Sequence, residues 1–371
     1  MTTFDLIIYS AQSLFCASIL IVLARGFSLP KPLQWYPWFW CVGVIAISWR
    51  YTSGQDIFYS SDQVVMANNI GVFQRDGFST NLEVLLGRRD VVTIPAWILT
   101  NAGLHPLLAV KFLQAFAVIV TLVALLRVAP FPIRSLIDRR PWVWLVFGGP
   151  SILFNSLLAL RDQFLVAGVT WFYTTTRLQT KCLVALLTFL LRPHLAVALV
   201  LSLLITEGVA QRMAQPVKRA LLMFACYLLG VVLYGYGNAF TTGQTEGLPS
   251  LISQTRVLRL LATFTGLHFL VVDESTVDRS IATLFLARIL FFDTWLIPIG
   301  FLLVVILRPR AGLVLQTRLL VALSIFVGIS SGTDFISSRQ TMPFFPMLAY
   351  ATLVAIYSRQ IDGRHESVAA R

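Results

Sequence analysis

Continuous apolar runs recur from one end of this 371-residue chain to the other, separated by short stretches of Arg, Pro and Gly. No other feature restricts the fold as strongly. Inside a bilayer every backbone N–H and C=O must be satisfied without water, so an uninterrupted apolar run crosses as a helix. A β-barrel would require alternating apolar and polar residues, and these runs do not alternate. With 57% hydrophobic residues, 12% charged residues and a mean hydropathy of +0.77, the chain reads as an all-α polytopic membrane protein. A single integral membrane domain, 1–371, leaves no room for a separate soluble one.

The runs predict about eleven transmembrane or re-entrant helices, at roughly 5–25, 36–49, 107–127, 142–158, 162–176, 182–191, 194–206, 219–237, 282–307, 313–331 and 341–358. Several are shorter than the ~20 residues of a straight span. The pair around Arg192-Pro193-His194 reads equally as a re-entrant hairpin or two full spans. The first run, from Phe4, has no basic leader and no clear cleavage site, and is expected to be a retained span.

Loop charge sets the orientation. Arg25, Lys31, Arg127, Arg134, Arg139, Arg140, Arg177, Lys181, Arg212, Lys218, Arg219, Arg308, Arg310, Arg318, Arg359, Arg364 and Arg371 sort to one face. The positive-inside rule makes that face cytoplasmic, with the N-terminus outside and the C-terminus inside. Two longer loops, about 50–106 and 238–281, then face outward. In the first, the stretch 91–104 is expected to be an interfacial or re-entrant helix. In the second, Gly237 to Gly247 reads as mobile loop and Leu251 to Leu270 as a surface helix carrying Arg256 and Arg259.

The net charge of +12 suits cytoplasmic loops beside anionic lipid, and with no soluble basic domain no nucleic-acid partner is expected. Cys16, Cys41, Cys182 and Cys226 all fall in apolar segments and read as packing residues. No P-loop, nucleotide-binding glycine pattern, HExxH or Cys/His cluster is present, so neither a metal nor a cofactor is expected.

Four arginines break the charge pattern. Arg50, Arg161, Arg192 and Arg339 each stand at the outward end of an apolar segment. Arginine near hydrocarbon is costly, and four on one face point to a large anionic ligand such as a lipid-linked phosphate or pyrophosphate. Their neighbours add chemistry. Gly54 permits a turn that can bring Arg50 and Asp56 toward one cavity, although an Arg among aromatics also serves as an interfacial anchor. Arg161 and Asp162 are adjacent on a helix and so are free to meet different partners. At Arg192-Pro193-His194 the proline breaks the helix, and the pair can supply an anion contact and a general base, or simply a kink. Asp334 and Arg339 share a short polar loop before the last span. Arg288 and Asp293 are expected to pair with each other or another helix, or to line a cavity.

These motifs resemble the EpsG-type and Wzy-type polysaccharide polymerases. Arg50…Gly54…Asp56…Tyr59 is similar to that family's R-x-x-x-G-x-D-x-x-Y signature, and Glu83 to the glutamate that often follows it. Leu160-Arg161-Asp162-Gln163 occupies the place of its L-R-Q segment, with Asp162 where glutamine is commoner. Arg192 and His194 match a polar break in a helix pair, and Ser338-Arg339-Gln340 the late Arg motif. The resemblance runs from Arg50 to Tyr357. It implies a multi-pass protein of the bacterial inner membrane, with kinship to lipid-dependent GT-C-type glycosyltransferases. The implied reaction is metal-independent joining of undecaprenyl-pyrophosphate-linked repeat units into O-antigen, capsule or exopolysaccharide. A chain-length regulator and a flippase would be its partners.

In that reaction Arg161 and Arg339, then Arg50 and Arg192, would hold pyrophosphate, with Tyr59, Asp334 and Arg288 nearby. Asp56, His194, Asp162 and Glu83 are the acid–base candidates. Three other readings compete: a membrane transferase adding a single sugar from a polyprenyl-phosphate donor, a lipid-linked oligosaccharide flippase or transporter, and an envelope assembly subunit. The absence of duplicated halves and the clustering of polar groups at one face favour an enzyme.

Overall fold

The computed structural model describes residues 3–52, 69–72, 92–130, 133–136, 149–157, 162–242, 293–330 and 341–369. Each predicted apolar segment is helical in its described part, and no strand occurs among the described residues. The helices are α1 (Thr3–Gly26), α2 (Tyr36–Thr52), α3 (Thr93–Asn101), α4 (Pro106–Val128), α5 (Pro150–Ser156) and α6 (Asp162–Thr174). They continue with α7 (Leu178–Leu191), α8 (Pro193–Thr206), α9 (Pro216–Thr242), α10 (Asp293–Leu307), α11 (Leu313–Ser330) and α12 (Phe345–Ala369). Four helical stretches, Asp5–Gly26, Pro106–Val128, Pro216–Gly235 and Leu313–Ser330, are long and apolar enough to cross a bilayer. This is the architecture of a helical membrane protein.

Proline punctuates it. Pro106, Pro150 and Pro193 each open a helix, where the missing N–H costs nothing and the fixed φ is already helical. The expected interfacial segment is the nine-residue α3, closed by Gly103 at φ +99°, a conformation open to glycine. Two boundaries differ from expectation. α9 continues through Gly237 to Thr242, where a mobile loop is expected, and α12 runs to Ala369 rather than stopping near 358. In both, a nucleated helix propagates cheaply, and a glycine subtracts only about 1 kcal/mol. The expected surface helix from Leu251 to Leu270 lies outside the described residues.

Hydrogen bonds to carbonyls gather many helix ends at one end of the bundle. Arg134 donates to the Arg127 carbonyl (2.9 Å), Tyr350 to Val128 (3.0 Å), and Arg308 to Ala355 (3.0 Å) and Ile356 (2.6 Å). Arg219, only 2% exposed, donates to the Met213 carbonyl (2.6 Å), to Gln316 Oε1 (3.1 Å) and to the Pro309 carbonyl. Arg318 reaches Thr206 Oγ1 (3.4 Å). Loop charge alone would leave Arg219 a solvated residue. It is instead a buried clamp across three elements, its charge spread over carbonyl and amide oxygens.

From that end the helices rise to unequal heights. α7 and α8 have 14 residues each, so at about 1.5 Å per residue they extend roughly 20 Å. α4 has 23 residues and packs beside α6, with Gln114 level with Gln163 and Val120 with Trp171. Its first two turns therefore stand above the level of Gln163. Among the described residues the junction of α7 and α8 makes a floor, shorter than the roughly 30 Å of a hydrocarbon core, and α4 makes a wall.

Behind the floor, α9 and α11 cross in parallel contact through glycines. A Cβ on Gly230 would lie 2.4 Å from the Ile325 carbonyl oxygen, and one on Gly328 would lie 2.3 Å from that of Tyr227. Small residues at such a crossing let two backbones touch, the usual means of helix association where lipid removes the hydrophobic drive.

Candidate functional site

The polar ends of the short helices meet at the floor. α7 and α8 are one apolar stretch divided at Arg192, whose extended backbone (φ −154°, ψ 90°) caps both helices. The proline at 193 forces this break, because the preceding residue is pushed out of the helical region. The Arg192 N–H still donates to the Thr188 carbonyl (2.7 Å), and its own carbonyl accepts from Leu195 (3.1 Å), so neither helix end is frayed. The guanidinium lies 6.0 Å from the centre of the Phe326 ring on α11. A planar, weakly hydrated cation suits an aromatic face in a poorly solvated place. His194 stands in the first turn of α8.

Asp162 opens α6 and is 2% exposed; a carboxylate in the first turn complements the helix dipole. The next residue, Gln163, is fully buried. Its N–H donates to Gln114 Oε1 (3.0 Å) and its Nε2 to the Ile152 carbonyl (2.7 Å). Gln114 thus caps α6 from another helix. Gln114 Nε2 and Gln163 Oε1 are buried without a hydrogen-bond partner among the described residues. The floor therefore carries an unmet donor beside an unmet acceptor.

α6 and α7 are antiparallel, and a Cβ on Gly168 would lie 2.7 Å from Thr188 Oγ1. Continuing outward from that contact brings Arg192 level with Phe164, within a turn of Asp162. Directly beneath lies a groove of about 440 Å³ between α3, α4, α6 and α7. Val92, Phe164 and Leu191 line its upper part, and Val120, Trp171 and Val184 line it further down. Its walls are almost wholly apolar, and Leu191, the residue before Arg192, lines its upper end.

Of the residues expected from sequence, Asp162, Arg192 and His194 stand at helix ends near this level. Arg50 lies in the last turn of α2. Asp56, Tyr59, Glu83, Arg161, Arg288, Asp334 and Arg339 lie outside the described residues. Asp293, read as a partner of Arg288 or of another helix, accepts from the Ser151 N–H (3.1 Å) and from the Ser151 hydroxyl. It caps α5, and Gly149 leaves it room: a Cβ there would overlap the carboxylate. Gln114 and Phe326 were not expected. A glutamine inside an apolar run is a signal of the same kind as a buried charge, whereas nothing in sequence marks which phenylalanine meets Arg192.

No protein-family model, curated protein or solved structure matches the chain.

Proposed function

We propose that the chain is a metal-independent membrane glycosyltransferase that joins polyprenyl-pyrophosphate-linked repeat units into O-antigen, capsule or exopolysaccharide. The observation that carries this reading is the apolar groove that ends at Leu191, the residue before Arg192. A polyprenyl tail fits the groove chemically, and a diphosphate fits a guanidinium held on an aromatic face. The unmet donor and acceptor of Gln114 and Gln163 suit a sugar hydroxyl, which both accepts and donates.

In this reading the floor faces outward in the bacterial inner membrane, with eleven membrane segments, the N-terminus outside and the C-terminus in the cytoplasm. The acceptor hydroxyl attacks the anomeric carbon of the donor, and the bond from that carbon to the phosphate oxygen breaks. The electron pair leaves with the pyrophosphate, whose charge Arg192 meets in a preorganised site. His194 takes the hydroxyl proton. Arg50, Arg161 and Arg339 complete the phosphate contacts. Asp56, Tyr59, Glu83, Asp334 and Arg288 belong to the outward surface over the sugars. A flippase supplies the substrate and a chain-length regulator sets the product.

The groove has its own test. Leu187 lines it and is 49% exposed, whereas its neighbour Leu186 does not line it and is 56% exposed. Leu187→Trp is expected to raise KM for the lipid-linked donor at least about tenfold, the cost of displacing one or two buried methylenes' worth of contact. Leu186→Trp should leave KM unchanged. Equal KM values for the two variants, both folded, would remove the groove from the substrate path.

A further inference from the structure

We infer that the part of α4 standing above the floor, together with α1, forms a separate phosphate-binding site centred on Lys111. This stands on the membrane character of the chain and does not require the reaction proposed above. Lys111 is 3% exposed within an apolar helix, and its Nζ lies 6.0 Å from the centre of the Tyr9 ring on α1. Among the described residues no carboxylate forms an ion pair with it. A buried ammonium without a counter-charge is costly, and in membrane helices such a residue marks a site.

Two further hydrogen-bond-donating features converge on the same corner. The first turn of α4 has no acidic residue, and the residue before it, His105, makes no side-chain cap, so the N-terminus of this 23-residue helix is open to an anion. The His105 ring stands edge-on to Tyr9 at 5.2 Å, and its Nδ1 is buried without a hydrogen-bond partner among the described residues. Gln12 of α1 fixes this arrangement, accepting from the His105 N–H (3.0 Å) and donating to the Gly103 carbonyl (2.8 Å). Burial, and secondarily Lys111, hold the His105 pKa below its usual value, against an opposing pull from Asp5. The ring is therefore neutral at pH 7, with one N–H to donate.

Ammonium, imidazole N–H and helix terminus ask for one anion with several oxygens, which a phosphate supplies. The corner lies against α1, whose Ile7 and Phe15 are 61% and 62% exposed, a lipid-facing surface. The phosphate can thus belong to a bilayer lipid or to a soluble or substrate-borne phosphate, and the test separates the two.

The full-length protein in detergent is unfolded thermally with phosphatidylglycerol mixed micelles and, separately, with inorganic pyrophosphate. A ligand that binds only the folded state raises Tm by mass action. Wild-type protein and Lys111→Arg are expected to gain several degrees with a probe, and Lys111→Met none. Without probe, Lys111→Met should be at least as stable as wild type, because it removes an uncompensated buried charge. A Lys111-dependent rise with phosphatidylglycerol alone assigns the site to bilayer lipid; one with pyrophosphate assigns it to a soluble or substrate phosphate. Equal rises in wild type and Lys111→Met, no rise with either probe, or a probe-free Lys111→Met that is strongly destabilised each overturns the inference.

Discussion

Alanine at Gly328 is expected to lower the stability of the folded protein by about 3 kcal/mol or more, the upper range for forcing extra atoms into a packed interface. The reason is geometric. The added methyl would sit 2.3 Å from the Tyr227 carbonyl oxygen, and that oxygen belongs to helix backbone, which cannot rotate aside as a side chain can. The same holds for Gly230→Ala against the Ile325 carbonyl at 2.4 Å. Either change must push α9 and α11 apart along their whole crossing, and much of α11 is buried core, from Leu319 to Ile329. Because the two methyls would open one interface, the double variant should cost less than the sum of the singles. Gly300→Ala is the control. It sits within α10, nothing lies within 4 Å of its Cβ, and the change should be neutral or slightly stabilising. Thermal unfolding in detergent reads all four variants. A Gly328→Ala protein as stable as Gly300→Ala would mean that the helices do not meet as described.

The second large effect is on activity. Arg192→Lys is expected to reduce polymer synthesis by roughly 10²–10³-fold, the range for removing one preorganised stabiliser of developing negative charge. Lysine keeps the charge but loses the planar fork that the proposed reaction needs for two phosphate oxygens, and the plane that rests on Phe326. The Arg192 backbone makes the terminal bonds of both helices, and Lys keeps that backbone, so the variant should remain folded, as thermal unfolding checks. Wild-type activity in a folded Arg192→Lys would sink the bidentate reading and leave only a point charge.

The helices were legible because a bilayer permits little else: an apolar run must satisfy its backbone internally, whatever its neighbours do. The break at Arg192 was legible for a related reason, since Pro193 constrains the residue before it by local sterics alone. What sequence did not disclose depends on helices far apart in the chain. Gln114 meets Gln163 and Asp293 meets Ser151 only after the bundle has assembled. Lys111 lies in an apolar run like any other until Tyr9 and His105 are seen beside it. The shortness of α7 and α8 is visible in the run lengths, but the height of α6 against α4 appears only in the bond from Gln163 to Gln114. Arg192 and Asp162 were found as isolated charges at helix ends; that they stand at nearly the same level is a property of the α6–α7 pairing at Gly168.

The central claim is polymerisation of lipid-linked glycan, and the most direct measurement supplies that substrate to the pure protein. The chain would be reconstituted in nanodiscs with polyprenyl-pyrophosphate-linked repeat units and a chelator, and the products separated by length. The account predicts a ladder spaced by whole repeat units, with one polyprenyl pyrophosphate released per bond and no ladder from Arg192→Ala. Repeat units recovered at their original length from folded, lipid-embedded wild-type protein, or extension by single sugars from a polyprenyl-phosphate donor instead, would contradict it.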